Sequence, residues 1–178
     1  MHASKRVLWW INILGGSAVL ASYAYGIASN PLTRGEVWGG VPASLRPLYT
    51  TSMLLAAAGY FAFSYFVFFR LDPVKARIGS RFGFGAFNLL YALILVPSAL
   101  WMPLTFAMLE APSDALWWAI RLTLGLVGIG SLGLLAALLA VEPPRAARAR
   151  WLAVVGCVAF CFQTAVLDAL VWPAFFPA

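Results

Sequence analysis

Five long apolar runs dominate the chain, and short polar or turn-forming stretches separate them. A bilayer core about 30 Å thick requires roughly 20 apolar residues in a helix that rises about 1.5 Å per residue. The runs are rich in Leu, Ala and Gly and lack the alternation of barrel strands. The pattern predicts an all-α membrane protein, a single five-transmembrane-helix bundle covering residues 1–178, with spans at about 7–28, 49–69, 82–109, 116–140 and 151–173.

Composition points to the same class, because 63% of the residues are hydrophobic and only 10% are charged. A soluble domain of this size could not bury so much apolar surface. Lys5 and Arg6 precede the first run, as in a signal peptide, but the run is long and ends at Tyr23, Tyr25 and Asn30 without a small-residue cleavage site. We interpret it as a retained helix.

The basic residues are distributed unequally between the two ends of the predicted bundle. Lys and Arg near helix ends resist translocation, so the end richer in them faces the cytoplasm. An amino terminus in the cytoplasm and a carboxyl terminus outside leave only Arg34, Arg46 and Arg121 on the outer side. The other nine are then cytoplasmic: Lys5, Arg6, Arg70, Lys75, Arg77, Arg81, Arg145, Arg148 and Arg150. The net charge of +6 is therefore a topology signal, and we expect no nucleic-acid partner.

One connection is long, and the others are short. Residues 29–48 carry Trp38, Val41 and Leu45 among turn formers, which predicts a loop that packs as a lid on the outer side of the bundle. The cytoplasmic links RLDPVKARIGSR and EPPRAARAR and the outer link EAPSD are predicted to be simple solvated turns.

Two helices carry residues that control packing. Pro97 and Pro103 should kink or break the third helix in its outer half. Small residues at spacing four in the fourth helix permit close backbone approach. They favour packing inside the bundle, with a homodimer face as the alternative: Gly125, Gly128, Gly130, Gly133, Ala136, Ala137 and Ala140.

Aromatic residues concentrate on the predicted outer side. An aromatic belt at the membrane interface explains them, and so does a ligand pocket roofed by the long loop. The two interpretations remain open. The outer set is Trp38, Trp101, Trp117, Trp118, Trp172, Tyr23, Tyr25 and Tyr49, whereas the inner set is Trp9, Trp10 and Trp151.

Two ionisable residues lie inside the predicted spans, where a charge is costly and usually faces the bundle interior. Arg121 and Asp168 fall at similar depth, each about one turn inside an outer tryptophan. They predict either a structural salt bridge or a polar clamp on a ligand.

The fifth helix carries one stripe of small and polar side chains that should face inward, namely Cys157, Cys161, Thr164, Asp168 and Trp172. Cysteines four residues apart in a helix are poorly placed for a disulfide, so we expect both to be buried thiols. Asn12 and Asn88 are expected to form interhelical hydrogen bonds.

Several kinds of chemistry lack the residues they need. The one histidine, His2, provides no basis for paired haem ligation, for His-based zinc or copper sites or for a Ser-His-Asp triad. No Gly-rich phosphate loop follows a strand, and the spans contain no lysine for a Schiff base. We predict no metal site, no catalytic residues and no required cofactor.

Four segments of the chain carry motifs that occur together in one known family. Residues 38–50, WGGVPASLRPLYT, are similar to the family's Trp, proline pair and Pro-x-Trp-Thr, with Pro42 alone for the pair and Tyr49 for the Trp. Residues 88–106 resemble the family's third helix. Residues 144–148, PRAAR, resemble the link into its fifth helix. Residues 167–172, LDALVW, are similar to Leu-Asn-x-x-x-Trp, with Asp168 for the Asn. Together the four segments resemble the TspO/MBR family, the tryptophan-rich sensory or translocator proteins.

The resemblance covers about residues 30–173 and implies a compact, often dimeric bundle in a bacterial inner membrane. It implies a pocket beneath the first outer loop that binds porphyrins, haem-related tetrapyrroles or sterol-like lipids, for transport, sensing or scavenging. The candidate ligand-binding residues are Trp38, Pro47, Tyr49, Trp101, Trp117, Trp118, Arg121, Asp168 and Trp172. The alternative is a small structural subunit of a larger membrane protein or pigment complex.

Overall fold

The computed structural model describes residues 2–79, 81–142 and 147–176. These residues form five helices long and apolar enough to cross a membrane: α1 Ala3–Ser29, α2 Arg46–Arg70, α3 Gly85–Glu110, α4 Asp114–Ala140 and α5 Arg148–Phe175. The prediction of five helices of this kind is confirmed. Each helix contains its predicted span, except that α3 begins three residues later than expected.

The helices pack in series, α1 on α3, α3 on α4, α4 on α5 and α5 on α2. At one end of the bundle α1 and α2 also meet, because the Tyr60 hydroxyl donates to Asn12 Oδ1 and the rings of Trp9 and Phe68 lie 4.6 Å apart. At the other end a cavity lies between them. The two helices are therefore joined at one end and separated at the other.

A small sheet marks one end of the bundle, which we call the sheet end. Its strands are β1 Arg77–Ile78, β2 Phe82–Gly83 and β3 Val141–Glu142, antiparallel in the order β2-β1-β3. The prediction of simple solvated turns was wrong for these links, since β1 pairs with the hairpin strand β2 and with the chain leaving α4. Residues 143–146 of the second link lie outside the described residues.

The opposite end, which we call the loop end, holds residues 30–45 and the turn between α3 and α4. That turn is short, as predicted, and Ser113 Oγ accepts from the Leu116 amide at 3.3 Å and caps α4. A Ser N-cap satisfies one of the free amides at a helix start. Two clusters of buried apolar side chains fill the bundle, the larger towards the sheet end and the smaller at the loop end.

Close backbone contacts fix the spacing of neighbouring helices. A Cβ atom built on Gly59 of α2 would lie 2.1 Å from the carbonyl oxygen of Gly156 in α5. In α4, Gly128 faces Ala165 of α5, and Gly130 faces Ile94 of α3. Gly128 and Gly130 thus serve packing inside the bundle, as the favoured interpretation predicted for the small residues of the fourth helix.

Three local predictions have different outcomes. The stripe on α5 faces inward and both cysteines are buried free thiols, as expected. Asn12 forms its interhelical bond, whereas Asn88 Oδ1 is buried without a partner among the described residues. Of the two predicted effects of Pro97 and Pro103, a break in α3 is wrong because both lie inside one continuous helix, whereas a kink stays a prediction.

Candidate ligand-binding site

A cavity of about 360 Å³ lies at the loop end, beneath residues 30–45. Its wall consists mostly of aromatic and apolar side chains from α1, α2, α3 and α5, as in most sites for small apolar ligands. Its lining residues are Tyr23, Ile27, Arg34, Val37, Trp38, Tyr49, Met53, Trp101, Met102, Asp168 and Trp172.

The aromatic wall is held together by contacts between rings on different helices. The ring centroids of Trp101 and Trp172 are 5.8 Å apart, and Tyr23 lies 5.7 Å from Trp101. Trp38 meets Tyr49 edge to face at 6.0 Å. These separations suit aromatic pairs, and they leave several ring faces towards the same space.

The long loop is fastened to the end of α5 and covers the cavity. Trp172 Nε1 donates to Val37 O at 3.0 Å, and the Gly40 amide donates to Phe175 O at 2.7 Å. Gly39 has φ of 55°, which favours glycine, and a Cβ atom there would lie 2.8 Å from the Phe176 ring. Val41 is buried. The predicted lid is therefore packed onto the bundle.

A wide π-helical segment shapes the α5 side of the cavity. The segment Phe162–Val171 has i to i+5 geometry, so residues five apart lie on one side of the helix. Gln163 Nε2 donates to Asp168 Oδ1 at 2.7 Å across this turn. The Tyr49 hydroxyl donates to Leu167 O at 3.1 Å and ties the start of α2 to α5. Asp168 is thereby positioned at the cavity wall.

The structure brings together five of the nine predicted site residues, which are Trp38, Tyr49, Trp101, Asp168 and Trp172. The other four lie elsewhere. Trp117 packs behind the wall, 6.5 Å from Trp172 and stacked on Phe176. Pro47, in the first turn of α2, is exposed, and so are Trp118 and Arg121.

The predicted pairing of Arg121 with Asp168 was wrong. Both residues lie in the described part of the chain, and no ion pair joins them. The Arg121 guanidinium lies 5.0 Å from the ring of Trp118 and 5.8 Å from that of Trp117, on the exposed side of α4. Asp168 instead receives its hydrogen bond from Gln163. Arg121 and Asp168 lie at similar depth along their helices, but their side chains point in different directions around the helix axes.

Sequence reasoning missed several cavity residues. Tyr23 was counted among the outer aromatics but not among the candidate ligand-binding residues, and Arg34 was counted only as a topology marker. Nothing in the sequence marked Met53 and Met102 as cavity residues, since flexible apolar side chains in a span are ordinary core residues. Gln163 could have been found as a polar residue in the fifth span, five positions before Asp168.

Metal chemistry receives no support from the described residues, in which no group of three or more His, Cys, Asp or Glu side chains is gathered.

Comparisons of the chain with family models, with curated proteins and with solved structures gave no match. The geometry of the cavity is therefore the basis for a functional assignment.

Proposed function

We propose that this protein is a TspO-like membrane protein that binds a flat, largely apolar ligand in the cavity at the loop end. A tetrapyrrole is the favoured ligand class, with a sterol-like lipid as the other, and the binding would serve transport, sensing or scavenging. The cavity that Trp38, Tyr49, Trp101 and Trp172 line beneath the packed loop is the observation that carries this proposal.

The size and chemistry of the cavity support a ligand of this kind. Small-molecule sites have volumes of about 300–1,000 Å³, and mostly apolar walls with a few polar groups. Here three Trp and two Tyr provide ring faces, while Asp168 and Arg34 are the charged residues on the described wall. Flat rings gain both apolar burial and favourable ring contacts in such a space.

The orientation that we propose places the loop end outside and the sheet end in the cytoplasm, following the division of the basic residues. Reporter fusions that end after Lys75 at the sheet end and after Pro112 at the loop end are expected to report the cytoplasm and the outside, respectively. A matching pair of fusions after Glu142 and Asn30 should repeat the result. Reports from one side for all four would contradict the orientation.

Tryptophan fluorescence tests the binding proposal. Titration of the purified protein with protoporphyrin and with an open-chain tetrapyrrole is expected to give saturable quenching at micromolar concentration for at least one of them, because Trp38, Trp101 and Trp172 border the cavity. A planar sterol titrated in competition tests the second ligand class. Linear, non-saturable quenching by both tetrapyrroles, equal to that of free tryptophan in the same detergent, would contradict tetrapyrrole binding.

A further inference from the structure

Asp168 is the acidic group of the cavity, and its carboxyl group is incompletely paired within the protein. One oxygen accepts from Gln163 Nε2 at 2.7 Å. A carboxylate offers about four acceptor positions on its two oxygens. The described residues supply no further hydrogen bond to Asp168, and the side chain lines the cavity. An acceptor therefore remains available to whatever occupies this space.

Gln163 holds this acceptor in place. The glutamine side chain is 4% exposed, and its Oε1 is buried without a partner in the described part of the chain. Its amide is thus committed to Asp168 through Nε2, across the π-helical turn. A fixed acceptor on an apolar wall discriminates more strongly than a mobile one, because an occupant without a donor leaves it unpaired.

Among the described residues of the wall, the one other charged residue is Arg34, which belongs to the loop and is exposed. The described cavity residues therefore place an acceptor on a transmembrane helix and a cation on the covering loop. A ligand that satisfies both carries a hydrogen-bond donor on one edge and an anionic group on another. Arg34 suits a carboxylate, since guanidinium groups bind carboxylates well.

We propose, resting on the function proposed above, that the cavity selects flat ligands with an N–H donor on their outer edge, with Asp168 accepting from that donor and Gln163 positioning Asp168. Among tetrapyrroles this favours open-chain forms. Rotation about the bridging bonds of an open chain can turn the N–H group of a terminal ring outward, whereas the N–H groups of a closed macrocycle stay pointed to its centre and cannot reach a carboxyl group at its rim.

The cavity volume agrees with this choice. At about 360 Å³ it lies near the lower end of the range for small-molecule sites. An open chain can place one terminal ring against the wall formed by Trp101 and Trp172 and leave its remaining rings towards the loop. A rigid macrocycle must enter with its full width.

Biliverdin and protoporphyrin IX form a matched pair of probes, because both carry two propionate groups and differ in whether the ring is closed. Biliverdin is expected to bind the unmodified protein about tenfold more tightly than protoporphyrin in the quenching titration. Asp168→Asn keeps the size of the side chain but can turn an amide donor towards the ligand. It should weaken biliverdin about tenfold and leave protoporphyrin within about twofold.

Two further variants separate positioning and charge from direct contact. Gln163→Met removes the hydrogen bond to Asp168 and should reduce the preference for biliverdin without affecting protoporphyrin. Arg34→Gln should weaken both ligands alike, since both carry propionates. Protoporphyrin binding by each Asp168 or Gln163 variant reports that it is folded.

The outcomes distinguish this inference from the function on which it rests. Saturable binding of both ligands with similar affinity, unchanged in Asp168→Asn, would overturn the role of Asp168 and leave the ligand-binding function standing. Binding of neither ligand to the unmodified protein would instead overturn tetrapyrrole binding itself.

Discussion

Gly59→Ala is expected to lower the free energy of unfolding by roughly 3 kcal/mol. The added Cβ atom would lie 2.1 Å from the carbonyl oxygen of Gly156 and 2.7 Å from its carbonyl carbon. Both are backbone atoms of α5, so no flexible side chain can move aside. The helices α2 and α5 must separate, and they then lose contacts along their shared length. Unfolding in detergent, followed by circular dichroism, measures the effect.

Gly125→Ala is the matched control, because a Cβ atom on Gly125 of α4 meets nothing within 4 Å. Alanine is favoured over glycine inside a helix by about 1 kcal/mol, so this variant should be neutral or slightly more stable. Gly156→Ala should resemble Gly59→Ala, since its Cβ atom would lie 2.7 Å from the Gly59 Cα atom. Similar unfolding of the Gly59 and Gly125 variants would show that α2 and α5 do not meet here.

Replacing Trp38 and Trp172 together with leucine is expected to weaken tetrapyrrole binding by about a hundredfold. An aromatic pair contributes about 0.5–1.5 kcal/mol beyond area burial, and 1.4 kcal/mol is a factor of ten. Trp172 is 4% exposed, and its indole nitrogen also holds the loop through Val37. The variant thus loses two ring contacts and one attachment of the lid. Quenching titrations that rely on the remaining tryptophans measure the affinity.

The control is a variant with the same number of tryptophans removed from the surface. Trp118 and Trp151 are 61% and 66% exposed, and neither lines the cavity. Replacing both with leucine should leave the affinity within about twofold. A second variant, with phenylalanine at positions 38 and 172, should recover part of the lost affinity. Equal affinities for the cavity and surface variants would mean that Trp38 and Trp172 serve as interface anchors.

The helices could be predicted closely from the sequence because a single physical requirement, the thickness of the apolar layer, sets their length. The fourth predicted span, 116–140, lies within Asp114–Ala140. The strands at Arg77–Ile78 and Val141–Glu142 could not be predicted, because two-residue strands depend on partners brought together by the helices. Their pairing has no pattern of its own in the sequence.

The site could be predicted in part, because depth along a helix is readable and rotation around it is not. Tyr49, Trp101 and Trp172 were assigned to the right end of the bundle and also face inward. Arg121 was assigned to the right depth but faces out. The hydrogen bond from Gln163 to Asp168 follows from π-helical geometry, which places residues five apart together, whereas the sequence was interpreted with an α-helical period.

The separation of α1 from α2 at the loop end leaves a gap between the two helices beside the cavity. The joint lies at the sheet end, where Tyr60 bonds Asn12 and where α1 itself has a π-helical turn, Ile11–Gly15. From Asn12 to Ile27 the helix extends about 22 Å at 1.5 Å per residue. Along that length α1 packs on α3, where a Cβ atom on Gly26 would lie 2.7 Å from the Met102 side chain. Ile27 and Met53, both partly exposed on facing helices, border this gap. For the ligand class proposed above, the gap would provide a route from the apolar layer of the bilayer to the cavity that does not cross the covering loop.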